Sequence, residues 1–390
     1  LIVTDALEMK GVSEFTKKNV DLMAFLAGND ILLMSSDISK GVKSIKKSYK
    51  KGRITEERLS RSVKKILRAK YKVGLNSYTP TDAGNLIKNL NTESTKNLIQ
   101  NSIESIPALV KNDDNLLPLK LDTERILNIQ FGNDDGFVFN DYLNKYKTIK
   151  SVHNSKINNN ELNNMLDRYN TLIVSFHMKS NTPWENMNKS FSNKELEMIE
   201  IIEKHKNKIL VSLTTPYMLS QIDLKSYKSI IVGFQNNSAF QKVTAQQIFG
   251  AKDIKGVLPV TISESLKYND GIMLEKINIL SYANPESVGV DVKNLSKIDS
   301  IINYAIKNKM TPGAQILIAK NSKIIYDKSF GKLRYNENSK TNSKTIYDLA
   351  SLTKILVTTP IIMNLVDKGV INLETRLNKI IPRYVNSNKS

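Results

Sequence analysis

Two short stretches of this chain carry residues that could act as nucleophiles. Asp5 closes the apolar run LIVTD, and Ser351 stands one helical turn before Lys354 in DLASLTK. A carboxylate at the end of a strand can attack an anomeric carbon and form a covalent glycosyl intermediate. A second group must then protonate the leaving oxygen and later activate water. A serine hydroxyl needs a base. Residues three apart on a helix share a face, so Lys354 can stand beside Ser351 and take its proton where desolvation favours the neutral amine. Neither pattern is specific alone. An Asp after a strand also suits a helix N-cap or a loop. The Ser-x-x-Lys spacing recurs at Ser44, Ser48, Ser62 and Ser329, where helix surface or loop is the plain reading.

The elements that must position these residues alternate between strand and helix. LIVTD and NDILLM read as short apolar strands, with a helical stretch around Asn19–Ala27 between them. Thr55 caps a following helix with Glu56 and Glu57 in its first turn. Leu59, Val63, Ile66 and Leu67 make its apolar face and Gly74 stops it. Strand–helix units of this kind fit the end of a parallel barrel, where the carboxyl ends of the strands carry the chemistry. Residues 76–94, with Pro80 and Gly84, read as a linker. Beyond them ILNIQFG, TLIVSFH, KILVSLTT and SIIVGFQ are continuous apolar runs separated by helical stretches such as Asn193–His205. That pattern predicts an open α/β sheet of buried parallel strands.

Residues 266–290 form a second connector, and the character of the chain then changes. A helix is expected over Asn294–Lys307. The strands AQILIAK and KIIYDKSFG flank Asn321-Ser322, a hairpin signal. A further helix begins near Ser351 and runs to Gly369, kinked at Pro360.

Composition sets wider bounds. The 390 residues, 40% hydrophobic and 24% charged, allow two or three globular domains. No apolar run is long enough to span a membrane. The net charge of +19 reflects Lys scattered on solvated helix faces without interleaved aromatics, so no nucleic-acid module is read from it. With no Cys, disulfides and thiolate metal sites are excluded, and no cofactor or metal is called for. Oligomeric state is left open.

The blocks VTDALEMKGV, AFLAGNDILLM and RITEERLSRSVKKILRAKYKVGL together resemble the end of a family 3 glycoside hydrolase barrel. NLIQNSIESIPALVKNDDNLLPL resembles the entry to that family's second domain and GAKDIKGVLPVTIS its exit. The resemblance makes Asp5 the nucleophile of a retaining mechanism. It is nearest to bacterial β-N-acetylglucosaminidases, whose acid/base is a His–Asp pair on an earlier barrel loop, a position upstream of Leu1. His153, His177 and His205 do not match it and read as surface or packing histidines. The β-glucosidase branch takes its acid from a Glu of the second domain, and no Glu here is assigned to that role. Asp30 falls in a family block, with capping or orientation of the next strand as its simplest use. Met9 and Lys10 suit either the pocket wall or loop packing.

GAQILIAKNSKIIYDKSFG and TIYDLASLTKILVTTPIIMNLVDKGVINLETRLNKIIPRY resemble the N-terminal part of serine beta-lactamase-related proteins, a group that includes class C beta-lactamases, DD-peptidases and esterases. That resemblance makes Ser351 the acylated nucleophile and Lys354 its general base. The family's later motifs would lie past Ser390. With Leu rather than Met at position 1, the chain reads as a fragment cut at both ends.

The expected fold class is α/β: a remnant of a TIM-type barrel over residues 1–80, an open α/β-sheet domain over 91–265, and the N-terminal part of a beta-lactamase/DD-peptidase-like α+β domain over 284–390. The implied activity is retaining hydrolysis of β-N-acetylglucosaminides, with glycan or peptidoglycan fragments as substrates and export to the periplasm or cell surface. The alternatives are serine acyl transfer through Ser351, or non-catalytic wall binding.

Overall fold

The computed structural model describes residues 1–14, 19–122, 125–179 and 190–386. The chain forms two compact units, Leu1–Leu90 and Asn91–Ser390.

The first unit comprises β1 (Val3–Ala6), α1 (Lys10–Ser13), α2 (Val20–Leu26), β2 (Ile31–Leu33), α3 (Ile38–Lys50), α4 (Glu56–Lys72) and the short α5 (Leu86–Leu90). The stretch read as a linker thus contains a helix. β1 and β2 are parallel, with Val3 opposite Ile31 and Ala6 opposite Leu33, which requires the crossover that α2 provides. Asn19 starts α2 by accepting from the Leu22 amide at 2.9 Å. Thr55 starts α4 by accepting from the Arg58 amide at 3.1 Å, and Gly74, at φ 81°, follows its end. On the expected apolar face of α4, Leu59 and Ile66 are half-buried, while Val63 and Leu67 are exposed.

Asp30 holds this unit together. Its carboxylate is fully covered and accepts from the Ile2 amide at 2.8 Å, Ser62 Oγ at 2.5 Å and Lys65 Nζ at 3.0 Å. It therefore ties the start of β1 and the entry to β2 onto α4. The hydrogen bond from Ser62, then that from Lys65, holds its carboxyl well below the usual range. Ser62 is accordingly a buried structural partner rather than the helix-surface residue its spacing suggested, and Ser48 is buried too.

The second unit begins with α6 (Glu93–Glu104), capped by Thr92, and continues through β3 (Ala108–Asn112), β4 (Ile126–Gly132), α7 (Phe137–Tyr146), β5 (Lys150–His153), α8 (Asn159–Leu166), β6 (Thr171–His177), α9 (Asn193–Glu203), β7 (Lys208–Leu213), β8 (Ser229–Val232) and α10 (Ser238–Ile248). The strands form one sheet in the order β3-β8-β7-β6-β4-β5, parallel except for β3 against β8. The four apolar runs of the sequence are β4, β6, β7 and β8. Their side chains alternate between two cores. Leu127, Ile129, Leu172 and Val174 pack with Leu162 of α8 and Met198 of α9. Ile126, Ile173, Ile209 and Val211 pack with Phe139 of α7 and Val243 of α10. The result is a three-layer α/β/α arrangement.

The chain then forms β9 (Ser281–Tyr282), α11 (Val292–Lys307), β10 (Gly313–Lys320), β11 (Lys323–Gly331), α12 (Thr359–Asp367) and α13 (Leu377–Ile380). β10 and β11 make the expected hairpin. Asn321 and Ser322 both take left-handed φ, 53° and 59°, as a two-residue turn between twisted strands requires. α11 starts at Val292 because Asp291 accepts from the Lys293 amide at 2.8 Å. α11 and β11 are joined by Asp299, which accepts from Tyr326 Oη at 2.7 Å and Lys328 Nζ at 2.9 Å. Among the described residues no helix is long and apolar enough to cross a membrane.

Candidate active sites

Asp5 is the third residue of β1 and is exposed to solvent. Its position follows from the pairing around it. The Leu33 amide donates to Thr4 Oγ1 at 2.9 Å, and the Leu7 amide donates to the Leu33 carbonyl at 3.0 Å. These bonds fix both neighbours of the Asp5–Ala6 step. Asp5 Oδ1 accepts from the adjacent Ala6 amide at 2.8 Å. Its carboxylate is thus held near the carboxyl end of a parallel strand and remains open to an incoming group. Asp30, by contrast, is enclosed by Ser62 and Lys65, and that enclosure leaves it a structural role. Met9 and Lys10 are both exposed at the start of α1. Beside them lies an apolar groove of 330 Å³ lined by Leu7, Gly11, Val12, Val20, Met23 and Ala24, among others.

Ser351 and Lys354 are brought together. Lys354 Nζ lies 3.0 Å from Ser351 Oγ, within direct proton-transfer range. The helix containing Lys354 begins at Leu352, immediately after Ser351. The hydroxyl therefore sits at the positive end of a helix, where a developing alkoxide is favoured. The helix passes through a wide turn, Lys354–Thr358, before α12. Pro360 explains that turn. It offers no amide hydrogen, and its ring crowds the carbonyl four residues back, so the ladder shifts to longer bonds such as Thr359 N to the Lys354 carbonyl. Both side chains of the pair are exposed.

The three histidines lie in the second unit, around its six-stranded sheet. His177 is fully buried at the end of β6, with Nδ1 3.1 Å from Asn236 Oδ1. His153 contacts the Gly132 carbonyl at 3.1 Å and His205 the Tyr169 carbonyl at 2.9 Å.

Comparison with known families fits this division. Residues 1–69 match the family described as "Glycosyl hydrolase family 3 N terminal domain", and residues 298–390 match the family described as "Beta-lactamase". The two matches fall on separate segments of the chain, one similar to family 3 glycoside hydrolases and one to beta-lactamases. A curated relative, "Putative D-alanyl-D-alanine carboxypeptidase" of Escherichia coli (strain K12), is 29% identical over 119 residues, 29% of this chain and 27% of that protein. Among solved structures, "Beta-glucoside phosphorylase BglX" aligns with a TM-score of 0.53 at 20% identity, covering 67% of this chain and 49% of that one. A beta-glucosidase from Listeria innocua in complex with gluconolactone aligns with a TM-score of 0.51 at 12% identity, covering 66% and 41%. These alignments show the fold, and the chain spans less than two thirds of each of these proteins.

Within the beta-lactamase-related segment, two neighbours of Ser351 have roles that its Ser-x-x-Lys spacing does not reveal. Ala350 takes a left-handed φ of 43°, a strained conformation for a residue with a side chain. Asp348 stabilises that turn by accepting from the Ala350 amide at 2.9 Å. The strained residue immediately precedes Ser351. An Asp two residues before a small residue at a helix start is the signal that could have found it.

Proposed function

We propose that the whole protein is a retaining glycosidase acting on N-acetyl-β-glucosaminides, with Asp5 as nucleophile. Asp5 Oδ would attack the anomeric carbon as the glycosidic C–O bond breaks and the leaving oxygen takes a proton from a general acid. Water would then release the sugar from the acylal, restoring the carboxylate. The observation that carries this reading is the open carboxylate near the carboxyl end of β1 within the family 3 segment. The test follows hydrolysis of nitrophenyl N-acetyl-β-glucosaminide by the full-length protein, with nitrophenyl β-glucoside in parallel and Asp5→Asn as control. Selective cleavage of the N-acetyl substrate, abolished by the substitution, supports the proposal. Equal or better cleavage of the glucoside would replace the amino-sugar specificity. Wild-type rates in Asp5→Asn would remove Asp5 from the chemistry.

A second activity, serine acyl transfer, is favoured by the 3.0 Å approach of Lys354 Nζ to Ser351 Oγ. Ser351 Oγ would attack a carbonyl carbon, with its proton passing to Lys354 and then to the departing group. Fluorophosphonate labelling that disappears in Ser351→Ala supports it, and labelling that persists in that variant refutes it. The two activities together suit peptidoglycan fragments, which contain both N-acetylated sugars and D-amino-acid peptides, and such a role suits an exported protein. Wall binding without either activity is the outcome that would set both chemistries aside.

A further inference from the structure

The end of α6, the turn after α10, the connector that follows and strand β11 enclose a cavity of 290 Å³. Four lysines, Lys252, Lys255, Lys276 and Lys323, and two carboxylates, Glu104 and Asp253, line it. Lys252 is only 6% exposed, and its ammonium lies 2.6 Å from Glu104 Oε1. Lys255 pairs with Asp253 Oδ2 at 2.8 Å, while Asp253 Oδ1 accepts from the Lys276 amide at 2.8 Å. Both carboxylates are therefore committed. Among the described residues, no carboxylate lies within ion-pair distance of the ammonium groups of Lys276 or Lys323.

The excess charge acts on the buried member of the group. Burial pushes the Lys252 ammonium down from its ordinary range against the pull of Glu104, and Lys323 and Lys276 push it further in the same direction. Lys276 and Lys323 thus add positive charge beside the buried Lys252, offset at Lys276 only in part by the attraction of Asp253. A second pocket of 270 Å³ adjoins the first and shares Ala251, Lys276, Ser281 and Lys323 with it, so the cationic site opens into room for a larger molecule.

We propose that this cavity binds a phosphate group, held between Lys276 and Lys323 with Lys252 behind them. A compact dianion matches the excess of two positive charges left by four lysines and two carboxylates, and lysine ammoniums recognise phosphate oxygens through charge-assisted hydrogen bonds. Such a ligand would join three segments that are distant in sequence, the turn after α10, the connector and β11. The chemistry is shared by free phosphate and by a phosphorylated sugar.

Thermal unfolding of the chain with inorganic phosphate, with glucose 6-phosphate and with chloride at matched ionic strength tests this, on wild type and on Lys276→Gln/Lys323→Gln. Phosphate should raise the wild-type midpoint saturably, and the double variant should need at least about tenfold more anion for the same effect. Without anion the variant should unfold close to wild type, because the repulsion on Lys252 that it relieves offsets the attraction between Lys276 and Asp253 that it loses. Saturation by glucose 6-phosphate at lower concentration than phosphate identifies a phosphorylated sugar as ligand, and the reverse identifies free phosphate. An equal phosphate effect in both proteins, or an equal effect of chloride, overturns the proposal. Phosphorus NMR of inorganic phosphate with wild-type protein provides a readout independent of the variants. Saturable line broadening supports the site, and a line unaffected by the protein overturns it.

Discussion

Acidification should destabilise the second unit through His177. The ring ends β6 with no exposed surface and lies 5.3 Å from the ring of Phe139. Nδ1–H is assigned as donating to Asn236 Oδ1 at 3.1 Å, and Nε2 has no hydrogen-bond partner among the described residues. A Cβ at Gly136 would lie 2.7 Å from Nε2, so only a glycine leaves room beside this edge of the ring. Burial is the largest influence and pushes the imidazole down to about 4, although Asn236, Asp134 and Asp135 favour the charged form and only His153 joins burial in opposing it. Between that value and the ordinary 6.5, the unfolded chain binds a proton that the native chain refuses, so stability rises with pH across this window. The stabilisation is complete above the ordinary value, is lost as pH falls toward about 4, and changes no further below it. At 1.36 kcal/mol per pH unit the full loss is about 3 kcal/mol, of which about 2 kcal/mol should appear between about pH 7 and about pH 5. Urea unfolding followed by circular dichroism at both pH values, at constant ionic strength, measures it. His177→Asn keeps a donor toward Asn236 and cannot titrate. It should lower stability at both pH values through the space it leaves, yet lose about 2 kcal/mol less than wild type on acidification. Parallel losses in the two proteins would refute the assignment.

In the first unit, Asp30→Asn should raise hydrogen exchange in α4 and β2 and leave β6 and β7 protected, because it strips Lys65 and Arg58 of the carboxylate they share. Since that carboxyl sits below its ordinary value, the stability it supplies is present above about pH 4 and lost as pH falls further, and wild-type exchange in α4 should rise only there. Phe176 is fully buried, 5.7 Å from Phe131 and 4.7 Å from Phe191, so Phe176→Ala should cost about 3–5 kcal/mol in urea unfolding. Lys354→Met should slow fluorophosphonate labelling of Ser351 by about 10²-fold or more if the amine is the base, and an unchanged rate would assign proton removal elsewhere.

The parts of the fold visible in the sequence are those in which local pattern and final burial agree. β4, β6, β7 and β8 lie inside the sheet and are covered on both faces, so they read as unbroken apolar runs. β3 and β5 give no such run, and both are edges of that sheet. An edge strand has one neighbour and tolerates polar residues, as the KSVH of β5 shows. Caps and turns were legible at Thr55, Gly74 and Asn321-Ser322 because their chemistry lies within a few residues. The grip of Ser62 and Lys65 on Asp30 spans 32 and 35 residues and left no local trace. The same holds for the cationic cavity. Lysines scattered through the sequence read as solvated, yet Lys252 is buried and meets Glu104 across 148 residues.

At the Ser–Lys pair, geometry and reactivity are set by different parts of the chain. The left-handed Ala350, the Asp348 contact and the helix start bring Ser351 Oγ and Lys354 Nζ to 3.0 Å without help from distant residues. Base strength has another origin, because a lysine amine accepts a proton readily only where water is removed from around it. Here the same helix exposes Leu352, Ile355, Leu356, Ile361, Ile362 and Met363. A helix apolar on every side is one whose stable environment is an interior. Were that surface buried, Lys354 would lose water with it, which would couple the packing of α12 to the proposed reactivity of Ser351. The labelling rate of Ser351 should therefore follow the protection of α12 amides against exchange: conditions that protect the helix should speed labelling, and protection gained without faster labelling would separate the two.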